Sequence, residues 1–232
     1  MESFRTEDEQ VEALRRWWDE NGRSTVIAIV IALGVGFGWQ GWQKYQSDQA
    51  AAASDLYQDM LGSLSGEAAA GDPAELAQQI KSAYPGSTYA QFAAMHLAAM
   101  AVENADLAGA EAQLRWVLGK ATSGSDMARV AQLRLARVVA ARGEAEQALA
   151  ILAEGDSGAY QASYALARGD VYLGQGRRDE AQAAYATAQA LVALGGQQGV
   201  NLPSLQAKLQ SLSSLPAAGE QGDAPANDAG ES

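Results

Sequence analysis

Few residues of this chain have the chemistry to act on a substrate. His96 is the only histidine, set between Met95 and Leu97 in a stretch whose spacing predicts a helix, and cysteine is absent. Disulfides, thiolate catalysis and Cys-ligated zinc are therefore excluded, and one imidazole gives no His-based metal site within one copy. Asp179 and Glu180 form a carboxylate pair, but they fall at the start of a predicted helix, where negative charge complements the helix terminus. Walker, Rossmann and zinc-protease motifs do not occur. With 16 Lys and Arg against 28 Asp and Glu, the net charge is −12, and no basic stripe offers a surface to nucleic acid. The composition points to a binding protein that needs no cofactor, not to an enzyme.

The elements that would present such a protein begin with a membrane anchor. Residues 24 to 43, between Arg23 and Lys44, carry no charge. As a helix rising 1.5 Å per residue they match the roughly 30 Å hydrocarbon core of a bilayer. Trp39, Trp42 and Tyr45 stand at the far end, where amphipathic rings favour the headgroup layer. Arg5, Arg15, Arg16 and Arg23 precede the span, whereas Lys44 is the only basic residue after it until Lys81. The positive-inside rule keeps residues 1–23 in the cytoplasm and exports the chain from residue 46 on, which in a Gram-negative cell is into the periplasm.

A cleaved signal peptide is the rival reading, with Ala50 to Ala53 as a small-residue cleavage site. The long acidic segment before the span and the roughly ten residues between the apolar run and those alanines argue against it. Gly34 and Gly38 form a Gly-x-x-x-Gly pair that could let another membrane helix approach. Val11, Leu14 and Trp18 give the preceding segment an apolar side, with a turn expected at Asn21-Gly22.

The exported part reads as helical throughout. An Ala-rich helix is expected over residues 49 to 64, with Leu56, Met60, Leu61 and Leu64 on one stripe. Asp72-Pro73 starts the next helix, which ends near Tyr84-Pro85-Gly86. Three helical pairs follow. Ala94, Leu97, Ala98, Ala110, Leu114 and Val117 mark the first, and Leu135, Ala136, Val139, Gly143, Ala148 and Leu152 the second. Ala165, Gly169, Tyr172, Gly176, Ala181, Tyr185 and Ala188 mark the third. The offsets between pairs are 38 and 33 residues, close to the tetratricopeptide period. The predicted fold is all-α: one N-terminal transmembrane helix followed by a tetratricopeptide-like solenoid over residues 46–215. Gly195-Gly196 interrupts the pattern before a capping helix with Leu205, Leu209 and Leu212. Residues 216–232 are rich in Pro, Ala, Gly and acid, which reads as a solvated acidic tail.

The opening Asp8-Glu9-Gln10-Val11-Glu12-Ala13-Leu14-Arg15-Arg16-Trp17-Trp18, then Asn21-Gly22 and the apolar span, resembles the ancillary subunit family of the bacterial Sec translocon. Tyr89-Ala90, Leu133-Arg134-Leu135-Ala136-Arg137 and Leu166-Ala167-Arg168-Gly169-Asp170 add to the likeness. These are inner-membrane proteins with a tetratricopeptide-like periplasmic domain. The resemblance implies Sec translocon subunits as partners, beside a membrane-anchored periplasmic chaperone of the prolyl-isomerase-like type. It also implies help in moving exported chains to soluble chaperones, and for some members a link to envelope stress control.

Stacked helix pairs make a concave surface suited to an extended segment or a partner helix without any reactive group. Tyr89, Phe92, Arg134, Arg137, Tyr164, Arg168 and Tyr172 on the inner helices are its candidate partner-binding residues, and Gly34 and Gly38 are the candidates within the membrane. Each tyrosine could equally pack in the core, and each arginine could be solvated. The alternative role is a membrane-anchored scaffold for envelope assembly or stress-response regulation that does not contact client chains.

Overall fold

The computed structural model describes residues 7–66, 71–155, 157–195 and 199–213, with side chains from Gln10 on. The proposed tail over residues 216–232 lies outside them, as does Gly196. All regular elements among the described residues are helical: α1 (Glu7–Leu64), α2 (Pro73–Ala83), α3 (Thr88–Glu103), α4 (Leu107–Lys120), α5 (Asp126–Ala141), α6 (Ala145–Glu154), α7 (Gln161–Gly174), α8 (Arg178–Ala193) and α9 (Leu202–Ser213). A 3-10 turn at Gly158–Tyr160 leads into α7. The chain divides into two units, residues 1–55 and 56–232.

The described residues of the first unit lie within α1, which is long and apolar enough to cross a membrane. Its large apolar side chains from Val26 to Trp42 are exposed, as lipid-facing residues would be. The expected turn at Asn21-Gly22 does not form. The Asn21 side chain donates to Trp17 O (3.3 Å), and Ser24 Oγ and Thr25 Oγ1 donate to Asn21 O (2.8 and 2.9 Å), so short polar side chains that often end a helix here bond within it. The Trp18 ring covers Gly22, 3.1 Å from where a Cβ would stand. The Ala-rich stretch from residue 49 likewise continues α1 instead of starting a new helix.

In the second unit the capping chemistry is as the residue types require. Asp72 Oδ1 accepts from the backbone N–H groups of Ala74 (2.7 Å) and Glu75 (3.3 Å), and Pro73 fills the first turn of α2, where a missing N–H costs nothing. Ser87 and Ser125, 38 residues apart, cap α3 and α5 by accepting from Ala90 N (3.1 Å) and Ala128 N (3.2 Å).

Helices α3 and α4, α5 and α6, and α7 and α8 form the three antiparallel pairs; α2 packs on α3, and α9 covers α8. One apolar cluster runs through the first two pairs, built on Ala98, Leu114, Val117, Leu135, Val139 and Leu152. A second joins Ala165, Ala181, Tyr185 and Ala188 to Leu205 of α9, the expected cap. Ala at the crossings sets the spacing: Ala94, Ala110, Ala136, Ala148, Ala181 and Ala188 are all fully enclosed. Ala181→Leu is therefore expected to destabilise the domain by about 1 to 3 kcal/mol through overpacking, read as a lower urea midpoint for the solubilised chain.

The turns inside the pairs repeat one motif. Asp106 N–H donates to Ala101 O (2.8 Å), Glu144 N–H to Val139 O (3.1 Å) and Arg177 N–H to Tyr172 O (2.9 Å), the six-to-one bond of a Schellman cap. The residue before each donor has a positive φ: Ala105 (59°), Gly143 (89°) and Gly176 (75°). Glycine accepts that conformation without penalty and alanine does not. Ala105→Gly is expected to raise stability by about 0.5 to 1 kcal/mol, because relief of the left-handed backbone exceeds the unfolded-chain entropy that glycine adds. A thermal melt should show a higher midpoint; a lower one would mean that the strain is absent.

Candidate protein-binding groove

The first helices of the first two pairs, α3 and α5, each have a second face that their partner helices leave partly uncovered. On α5 the residues of that face are Met127, Val130, Arg134, Arg137 and Ala141, spaced three and four apart so that they align along one side of the helix. On α3 the matching stripe is Phe92, Met95, Ala99 and Val102.

Between these stripes lie three adjoining hollows. The first, of about 470 Å³, is bounded by Phe92, Met95 and His96 of α3 and by Met127, Val130 and Arg134 of α5. The second, of about 400 Å³, has Ala99, Val102, Leu107 and Val138 on its walls and Arg134 and Arg137 at its edge. The third, of about 520 Å³, reaches α7 through Ala167, Asp170, Val171 and Gly174. Ala99 and Arg134 border both the first and the second, while Arg137 and Ala141 border both the second and the third, so the hollows form one groove. Phe92 is 39% exposed and Val102 45%, apolar surface that a bound segment would cover.

Of the candidate partner-binding residues, Phe92, Arg134 and Arg137 border the groove. Tyr89 instead belongs to an aromatic cluster: the Tyr57 ring lies 5.6 Å from it, 5.9 Å from Phe92 and 6.0 Å from His96. Tyr164 is a core residue, 1% exposed, with its hydroxyl donating to Arg129 O at 2.9 Å. Its ring is used in packing α7 against α5 and is not available to a partner. Tyr172 is half-buried under the Arg177 guanidinium, 4.5 Å from the ring centre, and Arg168 is partly exposed on α7; neither borders these three hollows. In the first unit, Gly34 and Gly38 face open space. Met95, Val102, Met127, Val130 and Val138 also border the groove but are not singled out by the sequence pattern, and Met95 and Val138 belong to the buried core cluster as well. Their signal was present: α3 is apolar on two sides, more than one partner helix can cover.

His96 Nε2 and the Tyr57 hydroxyl are 3.2 Å apart. Burial, and then the positive charge of Arg134, hold the imidazole below its ordinary range, so it adds no charge to the groove at neutral pH. At the far end the Tyr185 hydroxyl donates to Asp170 Oδ1 (2.8 Å), and Lys208 of α9 pairs with the same carboxylate. Burial first, then the Asp170 carboxylate, push the Tyr185 phenol well above its usual value, keeping it a donor. Asp170 is thereby occupied, and the groove has mainly apolar walls with Arg134 and Arg137 at its middle and the carboxylates of Asp126 and Glu103 also on its lining.

Comparison with known proteins agrees with this architecture. A family model described as tetratricopeptide repeat-like domain matches residues 15–214. The ancillary SecYEG translocon subunit of Haemophilus influenzae is 30% identical over 206 residues, covering 88% of this chain and 95% of the relative. That of Escherichia coli is 32% identical over 186 residues, 80% of this chain and 88% of the relative. That of Aggregatibacter actinomycetemcomitans is 32% identical over 184 residues, 79% and 88%. No solved structure matches. A helical repeat with an apolar groove, preceded by a helix able to span a bilayer and matched along nearly its whole length by these relatives, belongs to the ancillary SecYEG translocon subunit family, whose repeat fold serves non-catalytic protein binding.

Proposed function

We propose that this protein is a single-pass inner-membrane subunit that associates with the Sec translocon and links chains emerging from it to periplasmic chaperones. Residues 1–23 stay in the cytoplasm, residues 24–43 span the membrane, and the repeat domain over residues 46–215 faces the periplasm. The groove along α3, α5 and α7 carries this reading: a long, mainly apolar trough is suited to holding a peptide segment. The arginines before Ser24 support the orientation, and the relatives' translocon name supports the membrane partner. A membrane-anchored chaperone of the prolyl-isomerase-like type is the second partner in this scheme, receiving what the groove releases.

Purification of the full chain from a mild detergent extract tests the scheme. Translocon subunits together with an anchored chaperone should co-purify. Envelope-assembly proteins alone would favour the scaffold role instead. A reporter fused after Gln49 should behave as periplasmic, and cytoplasmic activity there would overturn the orientation.

A further inference from the structure

Arg134 and Arg137 are the groove residues whose charge the fold leaves unused. Arg115 pairs with Glu111 (2.8 Å), Arg142 with Glu111 and Glu144, and Arg177 with Glu180 and Glu146, whereas Arg168 and Arg178, which border none of the three hollows, form no ion pair among the described residues. Arg134 and Arg137 are exposed and have no carboxylate partner among the described residues, in a chain where acids outnumber bases by 28 to 16. Three carboxylates share the lining of these hollows but none pairs with the two arginines: Asp126 pairs with Arg129 (3.1 Å), Asp170 is held by Lys208 and Tyr185, and Glu103 forms no ion pair among the described residues.

Three positions apart on a helix, two side chains start about 5 to 6 Å from each other, so both guanidinium groups can close on one carboxylate. Two like charges at that spacing disfavour the free helix slightly. On both sides the surface is mainly apolar, with Phe92, Met95, Met127 and Val130 in one direction and Val102, Leu107 and Val138 in the other, beside Asp126 and Glu103 respectively. In an extended chain the residues two places either side of a given one project to the same face, about 6.5 to 7 Å away. The net charge of −12 repels acidic ligands only at long range, where salt screens it within about 8 Å at physiological ionic strength, so the two arginines decide at contact.

We infer that the groove selects extended segments in which an acidic residue is flanked by apolar ones, with the carboxylate clasped by Arg134 and Arg137 and its neighbours seated in the adjoining hollows. The inference rests on the groove being the protein-binding surface and adds which segments it takes.

The full chain in lipid nanodiscs is titrated against a fluorescent nonapeptide of leucine and alanine with a central glutamate, and against twins with glutamine or lysine at the centre; empty nanodiscs give the background. The glutamate peptide should bind about tenfold more tightly than the glutamine twin at 0.1 M salt, the effect of one charge-assisted contact, with less advantage at 0.5 M. The double variant Arg134→Gln, Arg137→Gln should remove that preference, so that the glutamate and glutamine peptides bind alike, with the thermal midpoint nearly unchanged. If it does not fold, Arg134→Lys with Arg137→Lys replaces it and should keep only part of the preference, because lysine lacks the planar fork. Equal binding of the glutamate and glutamine peptides overturns the carboxylate clasp and leaves the groove reading standing. Binding of none of the peptides overturns both. Much tighter binding after removal of residues 216–232 would assign the clasp to the chain's own acidic tail and overturn the proposed partner.

Discussion

Gly169→Ala is expected to lower the stability of the repeat domain by about 2 to 3 kcal/mol, although the same change in an exposed helix interior raises it by about 1. A Cβ at Gly169 would stand 2.4 Å from Tyr185 Cδ1 and Cε1. The ring cannot give way, since Tyr185 is fully enclosed and its hydroxyl is fixed to Asp170 at 2.8 Å. To accommodate the methyl group, α7 and α8 must separate, opening the second apolar cluster beneath Leu205. Urea titration of the solubilised chain, followed by loss of helicity, should show a lower midpoint. An unchanged midpoint would mean that the two helices do not meet as closely as described.

Removing residues 1–45 is expected to release the protein from membranes and to lower capture of a membrane partner by more than tenfold. Residues 56–232 form their own compact unit, and a repeat domain is stabilised by its neighbouring helices, so the shortened chain should keep its helicity and its melt. What it loses is the tether. Two modest contacts joined in one chain raise the effective concentration of the second, and without the anchor that gain disappears. Truncation after Leu215 should alter neither folding nor capture, because residues 216–232 are polar and lack an apolar stripe. Pull-downs of both truncations beside the full chain, from one detergent extract, give the comparison. Undiminished capture by the anchorless form would defeat the two-contact scheme, and a loss on removing the tail would show that it takes part in binding.

The repeat domain was legible in the sequence because its constraints are local and periodic. Small residues recur where helices cross, and Gly143 and Gly176 mark two of the three Schellman turns. The third turn, at Ala105, carries no glycine, and only the backbone shows that it has the same conformation. Asn21-Gly22 misled for the opposite reason: the pair carries turn chemistry, but within a continuous helix the Asn21 side chain donates back to Trp17 O and the Asn21 carbonyl accepts from Ser24 and Thr25 of the next turn. For the groove, tyrosine and arginine were the wrong filter when applied alone. Tyr164 and Arg134 both lie on inner helices, yet the ring of Tyr164 is drawn into the core between α5 and α7, while Arg134 stands at the edge of two hollows. Which side of an inner helix meets its partner depends on the packing of neighbouring pairs, and single-helix periodicity does not contain that information.

The central claim, that the groove of a membrane-anchored repeat receives segments of exported chains, is tested most directly by a photo-reactive amino acid at Ala99. This exposed residue borders the first two hollows. Illumination of living cells during export should crosslink position 99 to precursor or newly exported chains, whereas the same probe at Gln182, exposed on α8 away from the groove, should not. Crosslinks to exported chains of similar strength from both positions, or none from position 99 while export is active, would contradict the account.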